Sequence, residues 1–349
     1  MLDVRSKTIT ISRHTTIKTS NPKSIILMTD GFLPTTVAGS EISAYETIKY
    51  LRARGHNVSI YVKKYSVRQY DKFPIYKYEP TNETCRNSIM NSDVVLFQMS
   101  IGQERKSHES FEVVQLRKKP TYIFIHLMDS YDWLLQQKVG FPVIIVYNSR
   151  IIQDSLPTHY DNMRMIPYVD INKLIPNRQF TRQNDVVTLI NCNQNKGGDV
   201  LIEIAKKMPN VQFLGIKGGY SNQIIDSNSP PNLEYMENQK DINVVLRKTG
   251  ILIMPSKNET WGRTAVEAMA SGIPVIHSQT PGLVECVGGA GIQCDQNDID
   301  AWCQAIQHII GDRAYREQLR QYGFKRVKEI EAEQVRGRQE LALKMELQD

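Results

Sequence analysis

The run from Ile251 to Val287, ILIMPSKNETWGRTAVEAMASGIPVIHSQTPGLVECV, constrains the fold more than any other stretch of this chain. Ile251-Leu252-Ile253-Met254 is short, continuous and apolar, and Pro255-Ser256 follows it, as a buried parallel strand ending in a turn would require. The pattern then predicts a helix from about Trp261 to Ala270, closed by Gly272 as a C-cap, with Pro274 opening the next apolar run. Strand, loop, helix and strand in that order make a βαβ unit. In such units ligands bind beyond the carboxyl ends of the strands, where a helix N-terminus offers free N–H groups and partial positive charge to phosphate. Glu259 and Glu267 stand eight positions apart around that turn.

The same alternation runs through the chain. Ser24 to Met28 reads as a buried strand, Thr29 to Gly39 as a loop, and Ser40 to Arg54 as a helix with Ile42, Tyr45, Ile48 and Leu51 on one face. Ser40 is placed to cap that helix and Gly55 to stop it, and Asn57 to Val62 makes the next strand. G-x-G-x-x-G, the fingerprint of a dinucleotide-binding turn, is absent from this opening unit. Further strands are expected at Val94 to Phe97, Thr121 to His126, Val143 to Tyr147, Asp185 to Asn191 and Val211 to Ile216, with a helix through Leu201, Ile204, Ala205 and Met208. Helices carrying Trp302, Ile306 and Ile309, then Tyr315 and Leu319, precede a separate amphipathic segment from about Glu329 to Leu347. At 349 residues the chain exceeds one ordinary core, so two domains are expected. The boundaries read as a polar extension over 1–23, domains over 24–170 and 171–328, and a last helix over 329–349. The extension reads as a flexible segment or an added edge strand at Thr8 to Ile11 in preference to a transit-like segment, since nothing resembling a cleavage site follows.

Hydrophobic content of 41% and charged content of 23% are those of a globular protein. No apolar stretch is long enough to span a bilayer, and no signal-peptide core stands near the N-terminus. The five cysteines form no C-x-x-C pair, which reads as a reduced, cytoplasmic protein. Net charge is +6, with one basic group at Lys49, Arg52, Arg54, Lys63, Lys64 and Arg68 and another at Arg105, Lys106, Arg117, Lys118 and Lys119. These are solvated faces or a peripheral membrane contact; nucleic-acid binding lacks any supporting module. The one Asp-x-Asp, Asp298-Ile299-Asp300, precedes Ala301-Trp302 at a helix start, where aspartates cap free N–H groups, and no other cluster has metal-ligand spacing.

Pro255, Ser256, Glu259, Trp261, Gly262 and the text from Glu267 to Ile276 together resemble the donor-site signature of retaining glycosyltransferases of the GT-B fold, in family 4. The resemblance implies an α/β protein of two Rossmann-like domains whose C-terminal helix crosses back to the first. It implies transfer of a sugar from a nucleotide-diphosphate sugar to an acceptor with retention of configuration, by a front-face displacement that needs neither a protein nucleophile nor a metal or other cofactor. Ala38-Gly39-Ser40-Glu41 resembles the family's Gly-Gly-x-Glu loop, with Ala38 at the first glycine, and Lys196-Gly197 resembles its diphosphate-holding Lys-Gly. Asn191 stands where many members have an arginine, and Arg263 is the cation nearby that could compensate. His126, followed by Asp129, falls where members place a histidine against the donor sugar. Arg164 to Asp170 is similar to the connection between domains, with one residue lost at Tyr168. Lys217 to Tyr220 and Tyr235-Met236-Glu237 fall where the family encloses the base.

By this resemblance His126, Lys196 and Glu259 are catalytic. Gly39, Ser40, Asn191, Asn193, Gly197, Met236, Thr260, Trp261, Gly262, Arg263 and Glu267 bind the donor, with Glu267 on the ribose and Glu259 on the sugar. The acceptor is not specified by any motif. Two other classes stay open: a nucleotide-sugar epimerase of related fold, and a protein that binds nucleotide sugars without turning them over.

Overall fold

The computed structural model describes residues 17–99, 105–126, 139–174, 184–219, 221–226 and 229–347. The possible edge strand at Thr8 to Ile11, Asp129 and Tyr220 lie outside them. In the first half, β1 (Ser24–Thr29), α1 (Gly39–Ala53) and β2 (Asn57–Val62) form the opening unit. β3 (Gln69–Tyr70), β4 (Phe73–Lys77), α2 (Glu83–Asn91), β5 (Val94–Gln98), α3 (Arg105–Arg117), β6 (Thr121–Ile125), β7 (Val143–Tyr147), α4 (Arg150–Gln153) and β8 (Asp161–Arg164) follow. The strands make one sheet in the order β3-β4-β2-β1-β5-β6-β7-β8, parallel except for the β3–β4 pair. β5, β6 and β7 are buried along their whole length, as apolar strands covered on both faces must be. Alternate residues serve opposite faces: Leu27, Leu96 and Val146 pack with Ile48 and Leu51 of α1, whereas Met28, Phe97 and Ile145 pack with Ile89 and Phe111.

In the second half, β9 (Val187–Ile190), α5 (Gly198–Lys207), β10 (Phe213–Ile216), β11 (Leu233–Met236), α6 (Ile242–Leu246) and β12 (Ile251–Met254) lead to α7 (Arg263–Ala270). β13 (Val275–Ser278), α8 (Pro281–Val287), β14 (Ile292–Cys294), α9 (Ile299–Gly311) and α10 (Arg313–Glu346) complete it. This sheet is parallel throughout, in the order β11-β10-β9-β12-β13-β14.

Three expectations are corrected. α1 begins at Gly39, with Ala38 at the N-cap and no side-chain cap; Ser40 lies inside the first turn, and its hydroxyl donates to Glu41 Oε2 at 2.9 Å instead. α7 begins at Arg263 and not Trp261, because Gly262 takes φ +128, outside helical geometry, and Trp261 is turned into the core at 2% exposure. The helix carrying Trp302, Ile306 and Ile309 is present as α9, but Tyr315, Leu319 and the segment from Glu329 lie on one helix and not on two. α10 is one helix of 34 residues, roughly 50 Å long, opened by Asp312, whose Oδ1 accepts from Tyr315 N at 2.9 Å. Its first half packs through Leu319, Val327 and Ile330 on the second domain, and its end inserts Leu341, Ala342 and Met345 into the core of the first. Where it passes between them it carries Gly337, at which a Cβ would lie 3.2 Å from the Arg164 carbonyl oxygen. Among the described residues no helix is long and apolar enough to cross a membrane.

Candidate functional site

In each sheet the strand order reverses once, between β1 and β5 in the first and between β9 and β12 in the second. Neighbouring crossovers leave opposite faces there, so a crevice opens beyond the carboxyl ends of the strands. The two crevices meet. The Thr260 hydroxyl, on the loop after β12, donates to the His126 carbonyl oxygen after β6 at 2.9 Å, and Asn148, after β7, donates to Thr260 Oγ1 at 3.4 Å. A Cβ on Gly39, after β1, would be 4.0 Å from Arg263 Cδ on α7.

The loop after β9 carries Lys196. Asn193 Oδ1 accepts from Lys196 N at 2.9 Å and folds the loop into a 3₁₀ turn over Gln194–Lys196, and Gly197 at φ +84 is the N-cap of α5. A Cβ on Gly197 would sit 2.6 Å from Pro255 Cγ and 2.7 Å from the Pro255 carbonyl oxygen, so the two loops approach as only glycine allows. Lys257 N donates to the Asn195 carbonyl oxygen at 2.8 Å and fastens them together. Lys196 Nζ consequently reaches Glu259 and forms an ion pair with it.

One helix start further on, Arg263 Nη2 lies 3.1 Å from Glu267 Oε1. Glu267 is only 5% exposed; burial pushes its carboxyl up, and the Arg263 guanidinium draws it back. Arg263 Nε is buried with no hydrogen-bond partner among the described residues. The first amides of α7, at Arg263 and Thr264, have no partner within the helix. The structure thus brings Lys196, Glu259, Arg263, Glu267, Thr260 and Gly39 together, with His126 beside Thr260. His126 Nε2 is buried without a partner among the described residues, and burial lowers its pKa to about 4, so the ring is neutral near pH 7.

Other expected residues have contacts within the scaffold. Asn193 spends its side chain on the Lys196 turn, and Trp261 packs in the core with Arg164 over its ring at 5.7 Å. Gly262 makes way for Leu283, whose Cδ2 would be 2.5 Å from a Cβ there. Ser40 is engaged with Glu41, and Met236 ends β11, paired with Ile216 at the sheet's outer edge. Asn191, at φ +71, accepts from Gln223 Nε2 at 3.1 Å and packs on Gly218, so its side chain is held toward the loop after β10. Asp298 caps α9, its Oδ1 accepting from Ala301 N at 2.9 Å, and Asp300 pairs with Lys207 at 2.6 Å. Among the described residues no group of three or more His, Cys, Asp or Glu side chains stands as metal ligands would.

Sequence reasoning missed Asn148, Gly282 and Gln223. Asn148 follows a strongly apolar strand, a position that could have marked it. Gly282 has no such signal: a Cβ there would lie 2.2 Å from the Glu259 carbonyl oxygen, a closeness visible only in three dimensions.

Residues 171–326 match the family described as glycosyl transferases group 1. Among curated proteins, a D-inositol 3-phosphate glycosyltransferase of Mycobacterium sp. (strain KMS) is 29% identical over 132 residues, 33% of this chain and 29% of that protein. O-antigen chain mannosyltransferase B of Escherichia coli is 32% identical over 91 residues, 26% of this chain and 24% of that one. The chain thus spans under a third of the length of the first curated relatives it matches. A solved glycosyltransferase from Rickettsia africae superposes with a TM-score of 0.70 at 16% identity, covering 93% of this chain and 98% of that one. Anabaena HepE in complex with UDP-glucose superposes with a TM-score of 0.74 at 14% identity, covering 91% and 99%. The chain has the two-domain GT-B fold of these structures, and residues 171–326, within its second half, are what match the family described as glycosyl transferases group 1.

Proposed function

We propose that the protein is a retaining glycosyltransferase of family 4 that moves a sugar from a nucleoside-diphosphate sugar to a hydroxyl of its acceptor without a metal ion. The observation that carries this reading is the convergence of Lys196, Glu259, Arg263 and Glu267 at the start of α7, facing Gly39 across the interdomain crevice. Cations and a helix N-terminus suit a diphosphate, and carboxylates suit the hydroxyls of a ribose and a sugar. The complex of Anabaena HepE with UDP-glucose supports a ligand of that class for the shared fold.

Charge accumulates on the diphosphate as the bond to the anomeric carbon breaks. Lys196, the first α7 amides and the exposed Gly39 backbone stabilise it. Glu267 accepts from the ribose and Glu259 from the sugar hydroxyls. The neutral His126 ring offers Nε2 to the sugar as a hydrogen-bonding group without adding charge. The acceptor hydroxyl approaches the face that the diphosphate leaves, and the departing phosphate takes its proton. Asp298 and Asp300 are engaged at the start of α9, consistent with a metal-independent reaction.

The test is a panel of nucleotide sugars scored by thermal stability, since a ligand that binds only the native state raises it. The stabilising donor is then incubated with acceptors in EDTA and the anomeric configuration of the product is read by NMR. No stabilisation by any nucleotide sugar refutes a donor site, inversion refutes the front-face displacement, and loss of transfer in EDTA restored by manganese refutes metal independence.

A further inference from the structure

The two cations at the start of α7 are each held by a carboxylate, Lys196 by Glu259 and Arg263 by Glu267, and the second pair is the more confined. The Glu267 side chain is 7% exposed, and Arg263 is the cation paired with it among the described residues. Withdrawing the guanidinium with nothing in return would leave a buried carboxylate unpaired, which is strongly unfavourable. Yet Arg263 is placed for an anion: it is the first residue of α7, its Nε is buried without a partner among the described residues, and its Cδ lies against Gly39 of the opposite domain. Asn191 cannot take that part, being neutral and engaged by Gln223 and Gly218.

We infer that Arg263 is the second diphosphate-binding cation of this site, and that Glu267 releases it only to a ligand presenting hydroxyl donors to the carboxylate left behind. This rests on the donor site proposed above. A nucleoside diphosphate meets both conditions at once, because its ribose hydroxyls and its phosphates are carried on one frame. Inorganic pyrophosphate meets only one. The Arg263–Glu267 pair is therefore a specificity element that makes the diphosphate and ribose subsites depend on each other. By linkage, whatever one ligand does for the affinity of the second, the second does equally for the first.

The experiment uses the full chain and isothermal titration with inorganic pyrophosphate, UDP, GDP and ADP. In Glu267→Gln the carboxylate no longer claims Arg263, so pyrophosphate should bind about 10-fold more tightly while the preferred nucleoside diphosphate binds about 10-fold more weakly. In Arg263→Met/Glu267→Gln the gain for pyrophosphate should vanish. A measurement on the unaltered protein guards against a variant that fails to fold: saturating it with the matching nucleoside should tighten pyrophosphate by about 10-fold. A nucleoside diphosphate that binds while pyrophosphate is indifferent both to Glu267→Gln and to added nucleoside overturns the coupling and leaves the donor site standing. Absence of binding by all three nucleoside diphosphates overturns the donor site, and the coupling with it.

Discussion

Gly39→Ala separates a functional glycine from a conformational one, because here the two readings predict opposite signs. Gly39 is the first residue of α1 and its φ lies outside the left-handed region, so alanine fits the backbone as it stands. The added methyl would meet only Arg263 Cδ, at 4.0 Å, an ordinary van der Waals distance. Replacing a glycine where the backbone already suits alanine stabilises a protein by ~0.4 to 1 kcal/mol, chiefly by restricting the unfolded chain. For domains of this size the midpoint should therefore rise by roughly 1 to 3 °C. Donor binding should move the other way. If the Gly39 amide approaches a phosphate, the methyl stands in the path of a hydrogen bond to a charged group, worth ~1.5 to 3 kcal/mol. That is a loss of about 10- to 150-fold in affinity. Differential scanning calorimetry and titration of the preferred nucleoside diphosphate, on the same two proteins, give both numbers. A variant that is more stable and binds with unchanged affinity would show that no phosphate approaches this loop, and the reasoning from Gly39 would be wrong.

Lys196→Ala should chiefly lower turnover, by about 100- to 1,000-fold, since leaving-group charge is greater in the transition state than in the bound donor; equal kcat in steady-state assays refutes it. Asn191→Arg should fail to supply a further cation, because position 191 has φ +71 and packs on Gly218: a cost of ~1 to 2 kcal/mol in thermal denaturation is expected, with no gain in kcat. His126 titrates near 6.5 when unfolded but only at about 4 in the folded protein, so the unfolded state binds the extra proton between those values. The stability it protects is complete above pH 6.5 and falls as pH drops toward 4, by at most ~3 kcal/mol. His56 and His277, also lowered by burial, slope the same way, so the measurement is the difference in midpoint between the parent and His126→Phe across that window. Glu346→Ala should leave Arg54, whose Nε and Nη2 are bound at 2.8 and 2.7 Å, without its carboxylate at a cost of about 3 kcal/mol, read as faster amide exchange at the end of α10.

What could be read from the sequence depended on whether the determinant was local. Continuous apolar strands such as Val143–Tyr147 announce themselves because both faces are covered, and the alternation of strand and helix leaves little choice of architecture. Helix starts were misread by one or two residues where a glycine decides them, since Gly262 breaks the helix by a φ that composition does not reveal. The unbroken path of α10 was hidden for a different reason. Its buried face changes partner midway, from the second domain's core to the first's, so no single stripe runs its whole length. At the site, Glu259 and Glu267 stand out through the family resemblance of the text around them and not through their spacing alone. The burial of Asn191 against Gly218 was not legible, because it depends on a contact between loops 27 residues apart.

The cleft can respond to a ligand because the two cores are separate while the ties between the domains are mostly polar. Leu27, Ile60 and Leu96 belong to one cluster and Leu252, Met254 and Val275 to another, so neither sheet need repack if the domains turn. Behind the site, Arg164 of β8 reaches Glu285 of α8 at 2.5 Å and Glu333 of α10 at 2.9 Å, while Arg150 N donates to Glu285 at 2.8 Å. Beside it, the bridge is a hydroxyl on a carbonyl, Thr260 to His126. An ion-paired cluster on one side and two neutral hydrogen bonds on the other, Thr260 to His126 and Asn148 to Thr260, leave the second side the more weakly tied. Thr260 is next to Glu259, so in the proposed donor complex a sugar that drew Glu259 from Lys196 would pull directly on those weaker contacts.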